Sequence, residues 1–166
     1  ELIKLQDSVA INQIPFAKEH WTIVIVQDLF VNVPVRQKFL KSWQTEWNYI
    51  YDIFLDFALV NYDKSFTLIK DGKIYQKLPK SNDLMQRFSD IFKKDWEKHI
   101  RIIESIDETI NLYGLISDSS LTFKSPDNIK IFVNKRPVND KIIKKSIMES
   151  YSRQIAHWDY PLALIF

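Results

Sequence analysis

The order of patterned segments predicts an α+β fold in which helices cover one face of a sheet. Three observations carry that expectation. An amphipathic stretch follows Trp43, an Asp71-Gly72 pair stands between two alternating runs, and beyond residue 83 the pattern reads helix, three strands, helix, strand.

Composition bounds what such a fold can do. The 166 residues, 46% hydrophobic, suffice for one ordinary domain or two small ones. The absence of cysteine excludes disulfides, thiolate nucleophiles and cysteine-ligated zinc, and His20, His99 and His157 have no paired spacing for another metal. Neither a metal site nor a catalytic residue is therefore assigned. No apolar run approaches the roughly 20 residues of a membrane span, because Asp52 and Asp56 interrupt the greasiest stretch. With no secretory signal visible, a cytoplasmic location and no membrane partner are expected. Starting at Glu1 and ending in the strand-like PLALIF, the chain reads as a piece of something longer. Its two glycines, Gly72 and Gly114, exclude a glycine-rich phosphate loop within this stretch.

Taken in order, residues 1–19 carry no assignable motif, and Trp21–Val26 (WTIVIV) is a β-branched run that reads as a buried strand. Pro34 can open a short helix where its missing N–H costs nothing, with Phe39 and Leu40 turned inward. Trp43, Trp47, Ile50, Phe54 and Phe57 recur at four- and three-residue steps, with Tyr51 and Ala58 beside them, which predicts a helix with an aromatic stripe on the core. Phe66–Leu78 reads as a hairpin because Asp71-Gly72 suits a two-residue turn of positive φ. The segment PKSND, residues 79–83, is the best candidate for a domain boundary.

Leu84–Phe92 is helical by spacing, and His99–Ser105 and Thr109–Leu115 read as strands. Asn128–Val133 alternates Ile129, Ile131 and Val133 inward against Lys130 and Phe132. A helix is expected over about Asn139–Ile155, with Ile142, Ile143, Ile147 and Tyr151 on its apolar side, and Leu162–Phe166 forms the last strand.

The formal charge of +2 decides nothing, but its distribution does. From Lys124 to Lys145, seven basic residues stand against two acids, a local charge of +5. Lys141, Lys144 and Lys145 project from one side of the expected helix, with Arg136 in the turn before it. Arg36, Lys38 and Lys41 form a second cluster with no acid inside it. Such patches suit DNA phosphates, bound through counterion release and without sequence preference; a solvated lysine face is the other reading of the charge alone.

Two strings are specific. WTIVIVQDLFVNVPVRQKFL, ending at Leu40, resembles the MutL-type stretch GTTVxVxDLFxNxPxRxKFL, and VNKRPVNDK, residues 133–141, resembles the VNGRPVxDK of the same family. A long helix, a DG-turned hairpin, an Asp83-Leu84 pair and Gly114-Leu115-Ile116-Ser117 lie between them in the family's order. The resemblance covers nearly all of residues 20–166. It implies the C-terminal part of an ATPase sandwich of the GHKL class over residues 1–80, followed over 81–166 by a transducer domain of ribosomal-protein-like βαβ fold lacking its last elements.

Further implications come from the same likeness. ATP and magnesium would be bound by the parent, with Thr22 at the adenine pocket, although Trp21 and Ile23 depart from the family's glycine and second threonine. Arg36, Lys38, Lys41, Arg136 and Lys141, with neighbouring Lys144 and Lys145, would face DNA. Lys135 stands where the family has glycine. A homodimer formed through the ATPase domain and a MutS-like mismatch-recognition partner are implied, with localisation to the bacterial nucleoid when bound to DNA. The family's catalytic glutamate, magnesium-binding asparagine and glycine-rich motifs are not in these residues, so the chain alone is expected to hydrolyse no ATP. A non-enzymatic DNA- or protein-binding module of the same fold is the alternative. The transducer of another GHKL enzyme is a weaker one, opposed by the DLFxNxPxRxKFL string.

Overall fold

The computed structural model describes residues 2–6, 9–14, 24–25, 29–92 and 94–166. They divide into two compact units, Glu1–Ser42 and Trp43–Phe166.

In the first unit, β1 (Leu2–Gln6) and β2 (Val9–Ile14) pair antiparallel, with a register shift between Lys4 and Leu5. The sequence offered no signal for this hairpin. Trp21, Thr22, Ile23 and Val26 of the expected strand lie outside the described residues, while Val24 and Ile25 are exposed and belong to no strand. A buried strand needs partners for its backbone, and among the described residues none pairs with these two. Pro34 opens helix α1 (Pro34–Gln37), a single turn that buries none of its residues. Phe39, 79% exposed, and Leu40, 37% exposed, come after that turn and are not turned inward as expected. One helical turn offers no apolar stripe for them to extend.

The second unit opens with α2 (Trp43–Val60), eighteen residues free of glycine and proline. Its buried side is Trp47, Leu55, Ala58, Leu59 and Val60, while Trp43, Ile50 and Phe57 of the predicted stripe are exposed. The aromatic stripe serves a different neighbour. Strands β3 (Phe66–Lys70) and β4 (Lys73–Leu78) form the predicted hairpin, with Asp71 (φ 50°) and Gly72 (φ 73°) supplying the turn. A register shift beyond Leu68 leaves Tyr75 unpaired in β4, and its ring meets Trp47 and Tyr51 edge-on while Phe54 meets Phe66.

Helix α3 (Leu84–Ile91) starts where the sequence placed it, because the Asp83 carboxylate caps the Gln86 N–H and the Gln86 side chain returns to the Asn82 N–H at 2.8 Å. The segment 79–83 is no loose linker. Ser81 is 1% exposed, its N–H donates to the Tyr62 carbonyl and its hydroxyl to Asp90. Arg87 of α3 is fully buried and donates from Nη2 to the carbonyls of Tyr62 (2.9 Å) and Lys64 (2.6 Å), leaving Nε and Nη1 without a protein partner. The loop leaving α2 is thus fastened to α3.

A 3-10 turn (Lys94–His99) leads to β5 (Ile100–Ile106), β6 (Asn111–Ser117), the short β7 (Thr122–Phe123), β8 (Ile129–Val133) and β9 (Arg136–Val138). Helix α4 (Lys141–Tyr151), β10 (Tyr160–Pro161) and β11 (Ala163–Ile165) complete the unit. Five strands form one sheet in the order β5-β6-β11-β8-β9, while β10 pairs with β7 apart from it. Among the described strands only β11 and β8 pair in parallel, and parallel neighbours need a crossover connection, here the one that carries α4.

Leu164 of β11 stands beside Leu115 and Lys130, so one face carries Leu115, Leu164 and Phe132. That face forms a core with Leu59 and Val60 of α2 and Leu84 and Phe88 of α3. The alternate row, Ile129, Ile131 and Ala163, is buried as well. The sheet is therefore covered on both faces at its centre, not on one as the pattern suggested. For the same reason Phe132 is buried, while Val133, the last residue of β8 before the turn, is 49% exposed; for these two residues the predicted alternation is reversed.

This packing is open to two tests. A Cβ added at Gly114 would stand 2.2 Å from the Leu164 carbonyl oxygen. Gly114→Ala is expected to cost roughly 2–3 kcal/mol in urea unfolding, because the obstacle is backbone that cannot step aside. The loop before β10 is held to β7 through Asp159, which accepts from the Thr122 hydroxyl and pairs with Lys124. That lysine holds the Asp159 carboxyl below the usual carboxylate range. Its contribution is present at neutral pH and is lost as pH falls through the depressed value. Asp159→Asn should flatten the decline in stability on acidification, and an unchanged pH profile would mean that the pair contributes nothing to stability.

Candidate nucleic-acid interface

The VNKRPVNDK string folds into three consecutive pieces: the end of β8, the whole of β9 and the cap of α4. Asn134 (φ 49°) and Lys135 (φ 65°) form the tight turn between the strands, both in the left-handed region. Successive positive φ values match the right-handed twist of a hairpin; asparagine accepts them readily and lysine does not. The glycine that the family string has at 135 is explained by this backbone. Arg136 then begins β9 with an exposed side chain, placing it in a strand and not in a simple turn.

Asp140 caps α4 by accepting from the Ile142 and Ile143 N–H groups at 2.9 and 2.8 Å. The cap fixes Lys141 as the first helical residue, exposed and five residues from Arg136. The inward side of the helix is Tyr151 with the half-buried Lys144, Ile147 and Met148, a set at helical spacing. Ile142, 76% exposed, and Ile143, 37% exposed, are not on the apolar side as the sequence suggested. Lys144 is correspondingly drawn against the body by its aliphatic stem, and Lys145 stands 3.6 Å from Glu149 in an exposed pair.

Counting charges along the chain overstated this patch. Lys130 is spent on Asp56 of α2, an ion pair of 2.6 Å with both side chains 18% exposed, and Lys124 is spent on Asp159. Neither partner lies within the basic run, so no local reading could find them. Lys135, Arg136, Lys141 and Lys144 have no carboxylate in ion-pair contact among the described residues. Lys135 acts at longer range: Asp63 is held below the usual carboxylate range mainly by its hydrogen bond to Lys64, with Lys135 adding to the effect.

The other predicted cations lie in the first unit. Arg36 is in α1, Lys38 comes directly after it and donates its N–H to the Pro34 carbonyl, and Lys41 lies just beyond; all three side chains are exposed. Phe30 (φ 65°) anchors the turn before α1, its carbonyl accepting from the Val33 N–H at 2.9 Å. Thr22 lies outside the described residues.

Residues 88–166, from within α3 to the residue after β11, match the family described as DNA mismatch repair protein, C-terminal domain. The chain belongs to the MutL family of DNA mismatch repair proteins. The MutL protein of Opitutus terrae is 34% identical over 145 residues, 87% of this chain and 23% of that protein. MutL of Lactococcus lactis subsp. lactis is 32% identical over 151 residues, 91% of this chain and 23% of its own length. That of Clostridium botulinum strain Okra is 35% identical over 145 residues, 87% and 22% respectively. The chain thus spans less than a quarter of the MutL proteins it matches.

Among solved structures, the Aquifex aeolicus MutL ATPase domain complexed with ADP superposes with a TM-score of 0.57 at 30% identity, covering 83% of this chain and 50% of that one. The N-terminal domain of a DNA repair protein aligns with a TM-score of 0.66 at 22% identity, covering 82% and 47%, and supports the fold. The α+β architecture of this MutL stretch is therefore similar to that of about half of the MutL ATPase domain.

Lys135→Gly is expected to stabilise the fold by roughly 0.5–1 kcal/mol, the left-handed penalty relieved less the added chain entropy. Chemical denaturation measures it, and a loss of stability would mean that Lys135 contributes more through contacts than its backbone costs.

Proposed function

We propose that this stretch supplies the DNA contact and the coupling lever of a MutL-type mismatch repair ATPase. In this reading residues 1–80 close the GHKL ATPase domain, with Thr22 beside the adenine of bound ATP, and residues 81–166 are most of the transducer. The parent binds ATP with magnesium, dimerises through its ATPase domain and answers to a MutS-like protein, working in the cytoplasm on nucleoid DNA. ATP can drive such a lever only by binding one of two arrangements better than the other.

The observation that carries the DNA contact is the pair Arg136 and Lys141. Both are exposed, both lack an ion-pair partner among the described residues, and both are fixed by regular structure, one by the ladder of β9 and one by the Asp140 cap. Cations already neutralised by neighbours release few counterions from DNA; these two release their full share. Lys145 lies further along α4, shared with Glu149, and Lys144 is half-buried on the same helix. Arg36, Lys38 and Lys41 of the first unit meet DNA phosphates in their own right. Contact is to phosphates, so duplexes of different sequence should bind alike.

Reversing Arg136 and Lys141 to glutamate should weaken duplex binding at low salt by at least about tenfold and lower the salt slope by roughly two, near one per phosphate contact. Fluorescence anisotropy with a labelled duplex reads both numbers. Unchanged affinity and slope would rule out this surface as the DNA contact.

A further inference from the structure

A second set of cations, outside the VNKRPVNDK string, lies on the β3–β4 hairpin beside the start of α2. From Lys64 to Lys80 there are five lysines (Lys64, Lys70, Lys73, Lys77, Lys80) and one acid, Asp71. Lys64 is paired with Asp63; the other four have no carboxylate in ion-pair contact among the described residues. Lys70, Asp71, Lys73, Ile74 and Tyr75 line an open depression in this surface.

Aromatic rings stand among these cations. Trp43 is 62% exposed, its ring backed by buried Trp47 at 6.4 Å between centroids and 29° between planes. Tyr75 is 50% exposed and meets Trp47 edge-on at 4.8 Å. The Lys70 ammonium lies 4.3 Å from the Trp47 ring centre, 5.4 Å from that of Trp43 and 6.0 Å from that of Tyr75. Cation–π attraction holds Lys70 in place over the Trp47 and Trp43 rings. The indole itself is held by α2 and by Trp47, so its free area is presented at little conformational cost.

We propose that Trp43, Lys70, Lys73 and Tyr75 form a contact for single-stranded DNA, an unpaired base stacking on the Trp43 ring while the lysines meet its flanking phosphates. An exposed flat ring beside unneutralised ammonium groups is the chemistry of single-strand recognition, in which stacking tolerates any base and the backbone tracks the charge. A duplex has no free base face to offer the ring, so the site discriminates by strandedness. The proposal rests on the reading that the chain binds DNA but assigns single strands to a surface separate from Arg136 and Lys141.

The test measures a labelled oligothymidylate and a labelled duplex against the whole chain and its variants at several salt concentrations. Trp43→Ala should weaken oligothymidylate binding about tenfold, within the range for loss of one stacked base, and leave duplex affinity within about twofold. Trp43→Phe, which keeps a stacking ring, should hold single-strand affinity close to the parent. Lys70→Ala and Lys73→Ala should each reduce the single-strand salt slope by roughly 0.7. Because Trp43 is exposed, a far-ultraviolet circular dichroism spectrum matching the parent's is expected for Trp43→Ala.

The proposal is overturned if Trp43→Ala binds oligothymidylate as tightly as the parent. It is overturned equally if poly-glutamate competes undiminished against the parent but not against Trp43→Ala, which would make the surface an acidic-peptide site. The Arg136 and Lys141 reversals, read on duplex in the same assay, fail or succeed independently of either result.

Discussion

The sheet of the second unit hangs on β11, its central strand. Leu162, Ala163 and Leu164 are fully buried, with β6 bonded along one side and β8 along the other. Its partners were made long before it in the chain, Leu115 and Lys130 standing beside Leu164. Until β11 enters, β5–β6 and β8–β9 are two separate hairpins, each with an unsatisfied edge. Pairing of this kind is non-local and slow to form, and it tolerates no intrusion, which is why position 114 lacks a Cβ. The helices owe their positions to the same strand, since Leu59, Val60, Leu84 and Phe88 all pack on the face that Leu164 completes.

Electrostatics divides the lysines into two populations. Lys130 and Lys124 are structural, tied to Asp56 and Asp159 so that α2 meets the sheet and β7 meets the β10 loop. A pair as sheltered as Lys130 with Asp56 specifies a position more than it adds stability, because desolvating both charges offsets much of their attraction. Arg136 and Lys141 have no such carboxylate partner among the described residues, and neither does Lys73, while Lys70 rests on aromatic rings and keeps its charge unneutralised. The distinction between a cation that holds the protein together and one that is available to a polyanion is thus drawn by partners distant in sequence.

That division also marks where sequence reasoning succeeds. The Asp71-Gly72 turn, the start of α3 and four of the five strands of the sheet were legible because each depends on neighbours a few residues away, whereas β9 was read as a turn. Phe132, Val133, Ile142 and Ile143 were misassigned for the opposite reason. Alternation identifies a strand but not how many of its faces are covered, and helical spacing offers several apolar stripes among which the tertiary partner chooses. The β1–β2 hairpin had no turn signature, and β7 and β10 are too short to show a period. Of the candidate interface, the strings located Arg136 and Lys141, whereas the loss of Lys124 and Lys130 to ion pairs and the gathering of Trp43, Trp47, Tyr75 and Lys70 exist only in three dimensions.

The grip of Arg87 on the loop after α2 is made entirely to main-chain carbonyls, those of Tyr62 and Lys64. Every residue type carries such a carbonyl. The side chains of that loop, apart from Tyr62 which packs against the core, can therefore be exchanged or recharged without loosening the joint, so long as the backbone path is kept. The joint consequently places its whole requirement on one residue of α3, and a library of loop variants should retain it while a library at position 87 should not.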